Sequence, residues 1–177
     1  MDYRDELFDV VDEHDNIIKT GLQKDELHVN DDITRIVTIY VTDGNGSVYI
    51  AQRSPQKEID PLKFEAPAHG RVNSGEEYDD AAHREALEEL GVTLHELIPI
   101  DRYYTVFHTN VGIRQHFKKL YIGKTKDDLV VEEREIHSIK DFQSFEELFN
   151  FFENNSDLFS NAIAVDMEKL KDFLQKS

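Results

Sequence analysis

The stretch that decides the fold is "GRVNSGEEYDDAAHREALEELGV", Gly70 to Val92, which crowds three glutamates near its end. Glu85, Glu88 and Glu89 lie within five residues of one another, in a segment whose pattern predicts a helix from about residue 77 to residue 90. Like charges at helical spacing destabilise a helix by roughly 0.2–0.5 kcal/mol for each pair. Crowding of this kind therefore needs a compensating partner.

Both ends of the predicted helix carry recognisable signals. Ser74 lies three residues before Glu77, a spacing that predicts a capping box at the helix start. Gly91 follows the last apolar residue of the pattern and predicts the helix end.

The helical repeat brings the three carboxylates toward one volume. At about 100° per residue, Glu85 and Glu89 are about 40° apart on the helix surface, and Glu88 lies about 60° beyond Glu85. Arg84 stands four residues before Glu88 and can hold that carboxylate in one orientation. Clustered hard oxygen ligands suit Mg²⁺ or Mn²⁺, and such a cation would turn the repulsion into attraction.

Composition bounds the class of protein. A chain of 177 residues is long enough to bury a core, and we expect one domain over residues 1–177. The absence of cysteine excludes disulfides and thiolate sites and suits a cytoplasmic protein. A net charge of −17 argues against a nucleic acid polymer as partner. No signal peptide and no apolar run of about 18 residues are present, so we expect no membrane partner.

The remaining pattern predicts strands mixed with helices. Two short strands form an N-terminal hairpin extension over about residues 6–30, and a second hairpin turns at Asp43–Gly46. A short strand near "KFEAPAHG", a long antiparallel pair in "IPIDRYYTVFHTN" and "IRQHFKKLYIGK", and a strand at "REIHSIK" follow. Two helices close the chain over about residues 144–176. The expected class is α/β (α+β), with a mixed β-sheet sandwiched between helices.

The opening stretch resembles the Nudix box, Gly-x5-Glu-x7-Arg-Glu-U-x-Glu-Glu-x-Gly-U, in which U is apolar. Every position of that box is matched over residues 70–92, with Ala86 a small but apolar residue at its first U position. The matching residues are Gly70, Glu76, Arg84, Glu85, Ala86, Glu88, Glu89, Gly91 and Val92. The resemblance implies the Nudix fold.

The resemblance also implies an activity, namely Mg²⁺-dependent (or Mn²⁺-dependent) hydrolysis of a nucleoside diphosphate linked to another group, or of a similar small diphosphate. It implies that Glu85 and Glu89 are the main metal ligands, that Glu88 is a further ligand or a water-bridged partner, and that the Gly70 carbonyl adds a ligand from the loop. The metal would hold the diphosphate and lower the pKa of an attacking water. Glu76 and Arg84 would be structural and would tie the loop to the helix. These implied residues are Gly70, Glu76, Arg84, Glu85, Glu88 and Glu89.

The general base stays open at this point. Families of this kind use either a box glutamate, here Glu88 or Glu89, or a carboxylate from a later loop. The segment "VVEEREI" offers Glu132, Glu133 and Glu135, of which Glu135 is the favoured candidate. The alternative for Glu135 is an ordinary solvated residue at the edge of an acidic loop.

Flanking segments refine the resemblance. The chain also resembles the Nudix branch that contains isopentenyl-diphosphate isomerases, in the segments "ELFDVVDEHDNII" and "QRSPQK". In that branch a pair of cations binds the diphosphate, and the resemblance implies that Arg53 and Lys57 are the corresponding substrate-binding residues. Arg71, inside the box loop, is a weaker substrate-binding candidate. The isomerases use a cysteine just ahead of the box, where this chain has His69.

We therefore expect an isomerase-like hydrolase. Its alternatives are an isopentenyl-diphosphate isomerase, which the missing cysteine disfavours, and a Nudix domain that binds a nucleotide without turning it over. Homodimers are common in the family, so a homodimer is a further expectation.

Overall fold

The computed structural model describes residues 6–28, 30–110 and 112–176. Within these ranges the chain forms nine strands and three α-helices. The strands are β1 (Phe8–Val11), β2 (Ile17–Leu22), β3 (Ile33–Thr42), β4 (Val48–Arg53), β5 (Phe64–Glu65), β6 (Ala68–Arg71), β7 (Glu96–Thr109), β8 (Gly112–Lys124) and β9 (Ile136–Phe142). The helices are α1 (Tyr78–Leu90), α2 (Phe145–Asn154) and α3 (Ile163–Leu174).

Strand β3 is the centre of the sheet. β8 runs parallel to it along its whole length, from Ile33 opposite Gln115 to Thr42 opposite Lys124. On the other edge of β3, strands β1, β6 and β4 follow one another in antiparallel pairing. β7 extends the sheet beyond β8, and β9 extends it beyond β4. A central strand that is paired on both edges is favoured by apolar and β-branched residues, and the β3 sequence "ITRIVTIYVT" consists largely of them.

Helices cover both faces of the sheet. Successive residues of β3 point to opposite faces, so its side chains contribute to two separate cores. One core packs β3 against α1 and includes Val37, Ile39, Val41, Ala82, Ala86 and Leu90. The other packs the opposite face against α2 and α3 and includes Tyr40, Leu120, Leu148, Ile163, Met167 and Leu170. The predicted mixed sheet between helices is confirmed. Among the described helices, none is long and apolar enough to span a membrane.

Most element predictions are confirmed. The N-terminal hairpin, the long β7–β8 pair and the two C-terminal helices lie within the expected ranges. The turn between β3 and β4 uses the left-handed backbone of Gly44 and Gly46, with φ of 79° and 115°. The single strand predicted near "KFEAPAHG" is wrong, because β5 pairs with β4 whereas β6 pairs with β3. Pro67, which has no N–H to donate, lies between the two strands.

The predicted capping box at Ser74 is also wrong. The N-cap of α1 is Glu77, whose side chain makes no capping hydrogen bond. The Ser74 N–H donates to the carbonyl of Leu7, and Glu76 accepts from the Asn73 N–H at 2.9 Å. The loop is therefore closed by Glu76. The C-terminal prediction is confirmed, since Gly91 caps α1 with φ 66°.

Asp15 fastens the N-terminal hairpin to α1. Its buried carboxylate accepts hydrogen bonds from Arg35 Nε at 2.7 Å and from an Arg102 terminal nitrogen at 2.6 Å. It also accepts the hydroxyl of Tyr78, the first residue of α1, at 3.2 Å. Asp15 itself has φ 66°, a left-handed conformation that Asp and Asn tolerate better than most residues.

This anchor generates a stability prediction. Asp15→Asn keeps the tolerated backbone conformation and removes the charge that pairs with Arg35 and Arg102. We expect the free energy of unfolding to fall by about 2 kcal/mol, measured by urea denaturation at pH 7. The control is Asp128→Asn, an exposed site where the same change should leave stability within about 0.5 kcal/mol of wild type. Equal stability of Asp15→Asn and wild type would contradict the anchoring role.

Candidate active site

One cleft of about 780 Å³ gathers most of the residues predicted to be functional. Its lining includes three glutamates of α1 together with residues of β6, β8 and the loop that precedes β9. Predicted site residues in this lining are Arg53, Lys57, Gly70, Arg71, Glu85, Glu88, Glu89 and Glu135. Glu76 and Arg84 stand behind the lining and hold it.

The acidic wall comes from the face of α1 that does not pack on the sheet. Ala82, Ala86 and Leu90 are fully buried against β3, so the stripe beside them turns toward the cleft. On that stripe Glu85 and Glu89 are only 8% and 6% exposed. Such burial is unusual for carboxylates unless they are paired or bind a metal ion.

Arg84 organises this wall. Its Nε and one terminal nitrogen bind the two carboxylate oxygens of Glu76, both at 2.9 Å. The other terminal nitrogen donates to Glu85 at 2.7 Å and to Glu88 at 3.1 Å. A further bond reaches the Arg71 carbonyl at 2.9 Å, so one guanidinium joins the box loop to the helix.

Gly70 lets the backbone approach the carboxylates closely. A Cβ atom built on Gly70 would overlap the carboxylate of Glu85, so no other residue fits without moving that side chain. Next to it, the His69 N–H donates to Glu89 Oε2 at 2.9 Å. The His69 ring lies between two carboxylates, with Nε2 3.6 Å from Glu65 and Nδ1 3.7 Å from Glu89.

Burial makes the charged form of both glutamates unfavourable. Burial, and secondarily the charge of Glu88, raises the pKa of Glu85 to about 7 although Arg84 opposes the change. Burial and then the Glu85 charge raise the pKa of Glu89 well above its ordinary value. A divalent cation would relieve this cost, and carboxylate and carbonyl oxygens are the ligands that Mg²⁺ and Mn²⁺ prefer.

The donor set therefore fits a cation, but it is not preassembled. Across residues 6–28, 30–110 and 112–176, no three side chains of His, Asp or Glu are already grouped as a ligand set. In this arrangement Arg84 binds Glu85 and Glu88, and the His69 N–H donates to Glu89.

Two predicted site residues of the same cleft are paired with each other. Lys57 makes an ion pair with Glu135, so these two residues, 78 apart in sequence, meet in the cleft. Burial, and then the charge of Arg53, lowers the pKa of Lys57. Arg53 is itself 9% exposed and binds Glu65 at 2.6 Å and the Ile59 carbonyl at 3.0 Å.

The structure adds residues that the sequence reasoning missed. Arg114, His116 and Lys118 alternate along β8 and line the cleft together with Arg71. His116 Nδ1 shares a hydrogen bond of 2.8 Å with the Thr34 hydroxyl. The period-2 pattern of basic residues in "IRQHFKK" was the signal that could have found this group.

Comparison with known proteins agrees with this geometry. A sequence model of the NUDIX domain matches residues 32–161, most of the chain. The chain belongs to the Nudix family. Nudix hydrolases of Streptomyces coelicolor and Deinococcus radiodurans are each 34% identical over 93 residues, 52% of this chain and 51% and 54% of theirs. The chain thus spans about half the length of these curated relatives.

Two further comparisons cover nearly the whole Nudix chain. An isopentenyl-diphosphate Delta-isomerase of Pectobacterium atrosepticum is 25% identical over 167 residues, 94% of this chain and 92% of that protein. A crystal structure from Deinococcus radiodurans superposes with a TM-score of 0.75 at 23% identity, covering 93% of this chain and 98% of that one. The structural likeness confirms the predicted Nudix fold.

The close approach at Gly70 generates a prediction about metal binding. Gly70→Ala must push the Glu85 carboxylate aside, which removes a ligand position while disturbing only a movable side-chain end. At an Mg²⁺ concentration about 100 times the dissociation constant, we expect the wild-type unfolding midpoint to rise by roughly 5–10 °C. Gly70→Ala should lose this rise yet keep the metal-free midpoint within about 3 °C of wild type. A variant that keeps the full Mg²⁺ response would contradict this role of Gly70.

His116 generates a prediction about acid stability. Burial, and then the charges of Arg71, Lys118 and Arg114, lowers the pKa of His116 to about 3. Between that value and the unfolded pKa of about 6.5, the unfolded chain binds a proton that the folded chain does not, so stability falls as pH falls. We expect His116 to account for about 2 kcal/mol of the stability lost from pH 7 to pH 5.

Urea denaturation of His116→Gln at both pH values measures this share. The variant should lose about 2 kcal/mol less than wild type over the interval. His137→Gln, at an exposed position on β9, is the matched control and should lose as much as wild type. Equal pH dependence of His116→Gln and wild type would refute the prediction.

Proposed function

We propose that the chain is a Mg²⁺-dependent (or Mn²⁺-dependent) Nudix hydrolase that cleaves a nucleoside-diphosphate-type or related diphosphate bond. The observation that carries this proposal is the pair of buried carboxylates, Glu85 and Glu89, beside the bare backbone of Gly70. Burial raises the pKa of both carboxyls, so their charged forms are costly unless a cation binds them. Membership of the family and the complete box support the same reading.

In this proposal the residues of the acidic wall have separate roles. Glu85, Glu88, Glu89 and the Gly70 carbonyl would hold the cation, and Arg84 keeps Glu85 and Glu88 oriented toward it. When bound, the metal would neutralise charge on the diphosphate and lower the pKa of an attacking water. Glu76 keeps Arg84 in place through two hydrogen bonds.

Glu135, Lys57 and Arg53 are the candidates for proton removal and phosphate binding in the same cleft. Glu135 reaches the cleft and is held there by Lys57, a placement that supports it as general base beside the box glutamates Glu88 and Glu89. Lys57 would exchange its Glu135 contact for a phosphate oxygen when substrate enters. Arg53 is bound to Glu65, so its contribution would be to shape the cleft and add positive charge.

Isomerisation is the second candidate function, because an isomerase of Pectobacterium atrosepticum matches almost the whole chain. The chain contains no cysteine, and His69 occupies the place that the resemblance gives to the isomerase cysteine. Hydrolysis is therefore favoured. A small-molecule diphosphate is the partner that we propose, while a homodimer and a cytoplasmic location stay predictions from the sequence.

The test is a hydrolysis screen of nucleoside diphosphates, nucleoside triphosphates, nucleotide sugars, dinucleotides and isopentenyl diphosphate in Mg²⁺. We expect release of phosphate or a nucleoside monophosphate that stops in a chelator. Glu89→Gln should lower kcat on the order of 100-fold or more, because it removes a charged ligand at the reacting centre.

The matched control is Glu168→Gln, an exposed position on α3, which should keep the wild-type rate. Unchanged turnover in Glu89→Gln would contradict the assigned role of the box. If no compound is turned over while a nucleotide binds tightly, the chain is a binding domain, and conversion of isopentenyl diphosphate to its isomer would favour the second candidate.

A further inference from the structure

The cations of the cleft divide into paired and unpaired groups. Arg53 binds Glu65, Lys57 binds Glu135, and Lys118 binds Asp166 at 3.0 Å. Arg71 and Arg114 differ from them. In the described part of the chain neither forms an ion pair with a carboxylate, and the Nε atom of each is buried without a hydrogen-bond partner. Because a buried donor that lacks a partner is costly, an acceptor that reached these two side chains would be stabilised there.

Arg71 and Arg114 reach the cleft from strands on either side of β3. Arg71 of β6 lies opposite Ile36 of β3, and Ile36 pairs on its other edge with Lys118 of β8. Arg114 lies four residues from Lys118 on the same strand, so both side chains point to the same face. The Arg71 guanidinium stacks 5.2 Å from the centre of the Phe8 ring, which fixes its position.

Glu6, which also lines the cleft, is the carboxylate whose charge acts on Arg71, and among the described residues it forms no ion pair with either arginine. Burial, and next the charge of Arg114, lowers the pKa of Arg71. Burial, and then the charges of Arg71, Lys118 and Arg114, lowers the pKa of the neighbouring His116. His116 is therefore neutral and supplies no negative charge to the two arginines. In a chain of net charge −17, two adjacent cations without partners are a local exception that surface composition does not explain.

We propose that Arg71 and Arg114 form a second anion subsite that binds a phosphate group of the substrate, separate from the acidic wall of α1. A guanidinium presents two parallel N–H donors that match phosphate oxygens, and two such groups can enclose one phosphate. This inference deepens the proposed function and rests on it only for the position of the reacting bond. The substrate would then carry one phosphate group between Arg71 and Arg114 and another beside the acidic wall of α1.

The same geometry argues against a prenyl diphosphate. A hydrocarbon chain placed against Arg71 and Arg114 would bury two charged groups with no hydrogen-bond acceptor, a strongly unfavourable arrangement. A nucleoside diphosphate or triphosphate, or another compound with several phosphates, would satisfy them. The subsite thus separates substrates by the charge of the group that lies beyond the reacting bond.

The test is isothermal titration with inorganic pyrophosphate at low salt in a chelator, so that neither metal binding nor hydrolysis contributes. We expect Arg71→Gln and Arg114→Gln each to weaken binding ~tenfold, since each removes a charged hydrogen-bonding group. Arg114→Lys should fall between Arg114→Gln and wild type because it keeps the charge but not the planar pair of donors. Arg134→Gln, an exposed arginine in the loop before β9, is the matched control and should bind as wild type does.

Several results would overturn the subsite. The first is that wild type does not bind pyrophosphate. The second is that Arg71→Gln and Arg114→Gln bind pyrophosphate as tightly as wild type does. The third is that wild type binds citrate as tightly as pyrophosphate, which would indicate a general carboxylate site. Unfolding midpoints of the Gln variants should equal or exceed that of wild type, because each change removes an unpaired buried charge. Pyrophosphate binding that follows these variants, together with failure of the hydrolysis screen, would refute the proposed hydrolase alone.

Discussion

The guanidinium of Arg84 is the contact on which the acidic side of the cleft depends. All five of its N–H donors are used, on Glu76, Glu85, Glu88 and the Arg71 carbonyl. These bonds set the distance between the loop of β6 and the helix α1, and that distance decides how closely Gly70 meets Glu85. A lysine could not replace Arg84, because one ammonium group cannot bind partners in so many directions within one plane.

Arg84 does not neutralise the wall that it organises. It shares one positive charge among three carboxylates, and the hydrogen bond that Glu89 accepts within the described residues comes from the backbone N–H of His69. Arg71 and Arg114, which line the same cleft, have the opposite imbalance. A folded chain keeps such unfavourable charges only when its surroundings hold them in place, as the packed helix and the paired strands do here. A bound cation and a bound anion would relieve both imbalances together.

The sheet explains how one small cleft can contain both imbalances. β6 is a short strand beside the middle of β3, with α1 packed on one face of the sheet. Gly70 meets the helix carboxylates on that face, whereas the next residue, Arg71, joins the basic residues of β8 on the other. Alternation along a four-residue strand therefore places an acidic and a basic environment within one residue of each other.

Local signals were sufficient for a large part of this molecule. The apolar stripe Ala82, Ala86 and Leu90, the terminating Gly91 and the alternation in β3 predict the helix, its end and the buried strand from residues close in sequence. The spacing of the glutamates likewise predicts a common face, because helical geometry converts spacing into direction.

Only the tertiary structure decided which groups pair and which stay unpaired. Lys57 meets Glu135 across 78 residues, Glu76 closes the loop in place of Ser74, and "KFEAPAHG" divides between two partner strands. Arg114 looks like any surface arginine in the sequence, and its isolation beside Arg71 follows from the pairing of β6 and β8 with β3. Propensity and periodicity act over a few residues, whereas the partner of a buried charge depends on which distant strands meet. The sequence alone therefore determined the box and its helix. The tertiary fold determined which charged groups pair around them.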